Sequence, residues 1–211
     1  MFSGSYIENV DNTFFFIVAV SLILLLAITF LMIYFVFKYN RKKGVKAENI
    51  HGSTTLEITW TVIPLILVMA MFYMGWVGYE QLSNPPADAM IVKAQAKMWK
   101  WEFEYPNGVK ADTMFVPYGK AVRVNITSVD VNHSFYVPAF RFKRDAIANR
   151  VNFVWFKAEK LGSYDIACAE YCGLNHSKMY TKLVIIPEAE YNAWLTNQKA
   201  LLNAANAAPA K

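Results

Sequence analysis

Cysteine and histidine are scarce, with two and three residues respectively in a chain of 211. The cysteines, Cys168 and Cys172, allow one disulfide at most, and so short a loop gains little from closure while straining the bond. Lysine and arginine are missing from the first 37 positions, where Glu8 and Asp11 stand instead. A secretory signal needs a basic flank and a shorter apolar core than the run that follows, so that role is excluded. Charge of either sign is missing from Phe14 to Phe37 and again from Ile58 to Tyr79. Both runs are too long for the hidden hairpin of a soluble core. The net charge is +5, yet five of the 21 Lys and Arg crowd into residues 38–46, and basic patches interleaved with aromatics are lacking. Nucleic acid is therefore excluded as a partner. Internal repeats are lacking too.

What is present is apolar: 55% of residues are hydrophobic. Each uncharged run would extend about 30 Å as a helix, enough to cross the hydrocarbon core of a membrane. Pro64 in the second run is tolerable there, because neighbours re-satisfy the backbone. Lys38, Arg41, Lys42, Lys43 and Lys46 lie between the runs, and the positive-inside rule puts that loop in the cytoplasm and both termini outside. The expected organisation is an extracytoplasmic lead over 1–13 and a transmembrane hairpin over 14–82. Its helices cover 14–37 and 58–79, with a cytoplasmic loop over 38–53. A linker over 83–88 is marked by Asn84-Pro85-Pro86, and a second domain fills 89–187.

From about Ala89 the pattern changes to period two. Trp99, Trp101, Phe103 and Tyr105 alternate with charged residues up to Pro106-Asn107-Gly108, predicting a half-buried strand. Val122–Thr127, Val151–Phe156, a stretch ending near Ala167 and Tyr180–Ile186 are further strand candidates. Short strands between turn signals predict an antiparallel sandwich or barrel. After Pro187, residues 188–211 read as a surface helix with Tyr191, Trp194 and Leu195 on one side, fraying from Asn203 onward.

Both cysteines, one histidine and a methionine fall within Cys168-Ala-Glu-Tyr-Cys172-Gly-Leu-Asn-His176-Ser-Lys-Met179. A second histidine, His133, lies upstream in Asp130-Val-Asn-His133. Thiolate, imidazole and thioether together suit copper and disfavour magnesium or calcium. Five such side chains exceed what one tetrahedral ion accepts. Two coppers bridged by both sulfurs would use all five, with a main-chain carbonyl as sixth ligand. Three alternatives stand beside this reading. A disulfide would spend the cysteines, a structural Cys2His2 zinc site would leave Met179 idle, and a mononuclear blue-copper site would leave one cysteine spare.

With these motifs in place the chain resembles subunit II of the haem–copper cytochrome c oxidases over nearly its whole length. Cys168-x-Glu170-x-Cys172-x3-His176-x2-Met179 with His133 is similar to that family's dinuclear copper A ligand set. The resemblance implies a two-helix transmembrane hairpin followed by an all-β, cupredoxin-like sandwich. In it, Cys168 and Cys172 would bridge two copper ions and His133 and His176 would each bind one. Met179 and the Glu170 carbonyl would be weak outer ligands. The Glu170 side chain would face the catalytic subunit, where the family places magnesium. Trp99-Lys-Trp101-Glu-Phe-Glu-Tyr105 resembles the family's aromatic segment, whose first Trp, here Trp99, receives electrons. Glu57 is similar to the acid at the mouth of a proton channel, though an acid this near a helix end can simply snorkel.

The implied function is that of a non-catalytic subunit in a proton-pumping oxidase of the bacterial cytoplasmic membrane. It would take electrons from a c-type cytochrome and pass them to haem in subunit I, where oxygen is reduced to water. Its partners would be subunit I, other oxidase subunits, membrane lipid and the cytochrome. A membrane-anchored copper-binding protein or chaperone is the rival, against which Glu57 and two crossing helices speak. A metal-free quinol oxidase subunit would lack the ligand set, and a nitrous oxide reductase would lack the helices. Two departures from the family stand out. Ala148-Asn149 replaces its usual Pro-Gly, and Lys97 and Lys100 flank Trp99 where the family presents acids to a basic cytochrome c. Glu102, Glu104, Asp112 and Asp130 are the residues available for an acidic face; the flanking lysines point instead to an acidic or tethered donor.

Overall fold

The computed structural model describes residues 7–207, apart from residues 45, 47, 48 and 50. The chain divides into a helical unit, Asn9–Tyr79, and a second unit that contains everything from Glu80 onward.

Helix α1 spans Ile7–Lys38 and α2 spans Thr54–Ser83. Both are longer than the uncharged runs within them. Hydrophobicity marks where a helix meets lipid, whereas the backbone ladder continues into polar residues that suit a helix end. Glu8 sits in the first turn of α1, where an acid favours the positive end of the dipole, and Thr13 Oγ1 bonds the Asn9 carbonyl at 2.8 Å. The expected polar lead is therefore helical from Ile7, and its first six residues lie outside the described range. At the start of α2, the Ser53 hydroxyl accepts from Leu56 N at 3.4 Å and the Ser53 carbonyl from Glu57 N at 3.0 Å. The basic loop holds one turn of 3-10 helix, Arg41–Lys43, capped by the Asn40 side chain and ended by Gly44 at φ 65. No residue in the most apolar window of either helix is buried. Every backbone donor inside such a helix is met by its own chain, so the apolar side chains can face lipid.

The second unit packs two five-stranded sheets. One has the order β3 (Lys110–Ala111), β2 (Lys100–Glu104), β1 (Met90–Lys97), β5 (Ala121–Ser128), β8 (Asn152–Lys157). The other runs β4 (Met114–Pro117), β10 (Tyr180–Ile186), β9 (Gly162–Cys168), β6 (His133–Val137), β7 (Phe142–Ala146). Most neighbours are antiparallel, but β1 pairs with β5 and β4 with β10 in parallel. Parallel pairing needs a long crossover, and the intervening strands of each pair supply it. Alternation sets the core. Val122, Val124 and Ile126 point inward from β5, as do Val92, Ala94 and Ala96 from β1. Phe135 sits between the sheets with Trp101 at 5.4 Å, Phe103 at 6.3 Å and Phe142 at 6.1 Å between ring centroids.

Two local readings change. Trp99 is in the β1–β2 turn rather than in the strand, because Lys97 pairs with Lys100 and leaves Met98-Trp99 as the connection. The apolar period simply runs on through the turn. Asn149 adopts φ 60, the left-handed region that asparagine tolerates better than most residues, so a turn can form here without glycine. Helix α3, Glu188–Ala207, lays Tyr191 and Trp194 against Tyr105 (6.3 and 5.1 Å), and Trp194 against Phe115 at 4.7 Å. It persists past Asn203 because its alanines are strong helix formers. Residues 208–211 lie outside the described range.

Candidate metal centre

The loop between antiparallel neighbours β9 and β10 carries most of the ligand motif. Cys168 ends β9, His176 opens a single 3-10 turn, and Met179 directly precedes β10. The neck is closed by the backbone, Cys168 N donating to the Met179 carbonyl at 3.1 Å. His133 arrives from the start of β6, which pairs with β9. Five side chains from two segments thus converge at one end of the sandwich.

Their donor atoms form a row. His133 Nδ1 lies 3.8 Å from Cys168 Sγ, Cys168 Sγ lies 3.7 Å from Cys172 Sγ, and Cys172 Sγ lies 3.5 Å from His176 Nδ1. Met179 Sδ is 3.8 Å from Cys172 Sγ, and the Glu170 carbonyl is 3.3 Å from Cys168 Sγ. The sulfurs are free thiols rather than a disulfide. Each imidazole approaches a different sulfur. Six donors in this arrangement exceed one tetrahedral ion and suit two ions that share the sulfur pair. His133 and Met179 are fully buried, and Cys168 and Cys172 nearly so. Burial, then the neighbouring Cys168 thiol, pushes the Cys172 thiol up to about 11. Metal binding here must displace protons.

Several contributors escape a motif search. Asp130 accepts from His133 Nε2 at 2.8 Å, which leaves Nδ1 turned toward the sulfurs. The same carboxylate accepts from Met98 N and Val131 N, each at 2.7 Å. Burial opposes its ionisation, but the bonds from Met98 N, His133 and Val131 N prevail and hold it below the ordinary carboxyl value. The Asp130-x-x-His133 spacing was the available signal. Trp101 packs edge-on against the His133 ring at 6.4 Å. Trp99 Nε1 donates to the Cys172 carbonyl at 3.1 Å. Gly173, at φ 112, makes room for it, since a Cβ there would sit 3.4 Å from the indole. Glu170 turns its carboxylate to Lys143 Nζ at 2.8 Å. Glu57 belongs to the helical unit, in the first turn of α2 with its side chain exposed.

A soft-donor loop on a two-sheet sandwich, in a chain with two membrane-length helices, defines a membrane-anchored metal-binding protein. Comparison with known proteins narrows this. Residues 109–186 match the family model for the periplasmic domain of cytochrome c oxidase subunit II, and residues 3–74 match that for its transmembrane domain. The alternative cytochrome c oxidase subunit 2 of Bradyrhizobium diazoefficiens is 31% identical over 92% of this chain and 80% of its own length. Cytochrome c oxidase subunit 2 of Alkalihalophilus pseudofirmus is 33% identical over 87% of this chain and 57% of its own. The crystal structure of the periplasmic domain of subunit II of cytochrome oxidase from Bradyrhizobium japonicum superposes with a TM-score of 0.53. It shares 34% identity and covers 55% of this chain and 96% of that one. The chain belongs to the cytochrome c oxidase subunit II family. It is a two-pass membrane protein with a cupredoxin-like periplasmic domain.

Proposed function

We propose that this chain is the electron-accepting subunit of a proton-pumping terminal oxidase. It takes electrons one at a time from a c-type cytochrome and hands them to haem in the catalytic subunit, where oxygen becomes water. The observation that carries this reading is the row of donors from His133 through Cys168 and Cys172 to His176, with Met179 and the Glu170 carbonyl beside it. That set fits a dinuclear copper A centre, which Cys168, Cys172, His133, His176, Met179 and the Glu170 carbonyl would hold. Bound there, the copper pair would supply a one-electron relay.

The chain's own residues do the rest. The buried ring of His133 and thioether of Met179 keep water from the sulfurs, and Asp130 fixes the tautomer and tilt of His133. Trp99 offers electrons a short path, from its indole through one hydrogen bond into the Cys172 main chain. Glu57 would stand at the cytoplasmic mouth of a proton path, in keeping with a basic loop held inside and a metal domain outside. A magnesium ion at the boundary with the catalytic subunit would have to take the Glu170 carboxylate from Lys143. The copper reading is tested on the full chain in detergent, reduced and then loaded with copper. Two coppers per chain, with one unpaired electron coupled equally to both nuclei, is the expected result. One copper with a single-nucleus spectrum, or preferential zinc uptake, would refute it.

A further inference from the structure

Strand β8, at the edge of its sheet, is apolar on both faces. Val154 and Phe156 point into the core. Phe153 and Trp155 point outward, after an exposed Val151, where a strand facing water would carry polar residues. Trp155 is tied to the last turn of α2, its Nε1 donating to the Gln81 carbonyl at 2.9 Å. Gln81 lies two residues beyond Tyr79, where the uncharged run ends, so about 3 Å of helix separates them. The headgroup layer of a bilayer is roughly 5–7 Å deep on each side, and tryptophan is enriched there. Beside Trp155 lies a cavity of about 150 Å³. Leu82, Val154 and Trp155 form an apolar wall, and Arg141, Lys143 and Arg144 a basic one; no acid lines it. Pockets that enclose a whole small ligand measure about 300–1,000 Å³. This one suits a headgroup whose remainder lies outside.

The charges decide the ligand. Arg123 stands opposite Trp155 in the β5–β8 ladder, with its guanidinium 4.3 Å from the centre of the Phe153 ring. Arg144 Nε donates to the Phe153 carbonyl at 3.2 Å, so the two arginines meet at one residue. Arg123 is held the same way, its Nε donating to Asn125 Oδ1 at 3.1 Å. Anchoring through Nε leaves the terminal amino groups of both forks for a phosphate. Three acids lie nearby. Glu170 offsets Lys143, 2.8 Å away. Asp145 follows Arg144 in β7 and counts against Arg141. Glu80 precedes Leu82 by two residues, which turns it about 200° round the helix and away from the cavity. Arg123 and Arg144 remain in excess, and neither forms an ion pair among the described residues.

We infer that the seam between β7 and β8 seats the headgroup of one anionic phospholipid, with Arg123 and Arg144 on its phosphate. Leu82 and Trp155 cover the glycerol and the first methylenes, and the outward Phe153 and Val151 meet the same lipid layer. A basic pocket at this depth has the chemistry that recognises acidic lipid headgroups. The inference rests on the membrane hairpin and the β8 face, and it stands apart from the electron-accepting reading.

The test uses the whole oxidase complex in mild detergent, followed by native mass spectrometry with added phosphatidylglycerol or phosphatidylcholine. Arg144→Glu should bind one phosphatidylglycerol about tenfold more weakly, with the copper EPR signal and circular dichroism unchanged. Arg144→Gln should show a smaller loss of the same lipid, and phosphatidylcholine should respond to neither variant. In phosphatidylglycerol vesicles, a benzophenone amino acid in place of Trp155 should photocrosslink to lipid. Unchanged phosphatidylglycerol binding in Arg144→Glu overturns the assignment, as does an equal loss of both lipids. Crosslinking to another oxidase subunit alone overturns it too, and gives the face to a protein contact. Displacement of the lipid by inorganic phosphate would leave a simple anion site in its place.

Discussion

The helical unit and the sandwich use the same side chains in opposite ways. In α1, Leu26 and Phe30 are 66% and 67% exposed; in the sandwich, Phe135 and Leu183 are fully buried. Apolar residues in α1 and α2 are there to be solvated by lipid, whereas those between the sheets exclude water from one another and from the metal site. One unit is therefore tolerant of size and intolerant of charge. The other is sensitive to both, because close-packed rings leave no slack.

The comparison breaks most completely at the metal loop. Cys172→Ala should abolish the dinuclear EPR signature while leaving the circular dichroism of both units as it was. In the sandwich, Phe135→Ala should cost about 3–5 kcal/mol, read by denaturant unfolding, since three ring contacts and the volume they fill are lost together. The matching truncation in α1, Leu26→Ala, should scarcely register. Leu26→Arg should instead impair membrane insertion by about 3 kcal/mol, visible as a loss of membrane-integrated chain. Smaller again is Asp130→Ala, which should weaken copper binding by about 10–100-fold through the freed His133 ring.

Acid and base act on the metal site with defined signs. The Asp130 carboxyl is depressed in the fold, so its contribution to stability is complete above the ordinary carboxyl range and is lost as pH falls through the folded value. The Cys172 thiol is pushed up to about 11 in the metal-free fold, so copper uptake should release protons and strengthen as pH rises, measured by competition titration. The smallest effect belongs to Lys143→Met. Breaking its exposed pair with Glu170 should leave the unfolding midpoint almost unmoved. The same change should tighten manganese, as a magnesium substitute, at the assembled complex by removing a competitor for the carboxylate.

Chemistry that is local in sequence was the most legible. The Cys168–Met179 motif could be read because its ligands sit in one loop, and the uncharged runs because a membrane demands continuous apolarity. Strand β5 showed the period that a half-buried sheet imposes, and β8 and β10 the β-branched and aromatic residues that strands favour. Less legible was anything set by distant pairing. The parallel β1–β5 and β4–β10 ladders depend on which strands meet after a crossover, and no local pattern encodes that. Trp99 looked like one more tooth of a strand because the aromatic period ignores where the hairpin turns. Lys143 acquires its role from Glu170, a partner 27 residues away that a motif search does not connect to it, whereas Asp130 lies only three residues before His133. An uncharged run marks only the lipid-facing part of a helix, and backbone bonding continues beyond it to Ile7 and Ser83.

The closed neck of the metal loop has a kinetic consequence. Its first and last proposed ligands, Cys168 and Met179, are held together by a main-chain hydrogen bond. A ligand that lets go of an ion therefore does not swing away into solvent. It remains beside the vacancy at high effective concentration and returns before its neighbours can follow. Escape of metal needs several such releases at once or an opening of the hairpin itself. A centre built this way should exchange its ions slowly, whatever its equilibrium affinity, and retain them through many turnovers.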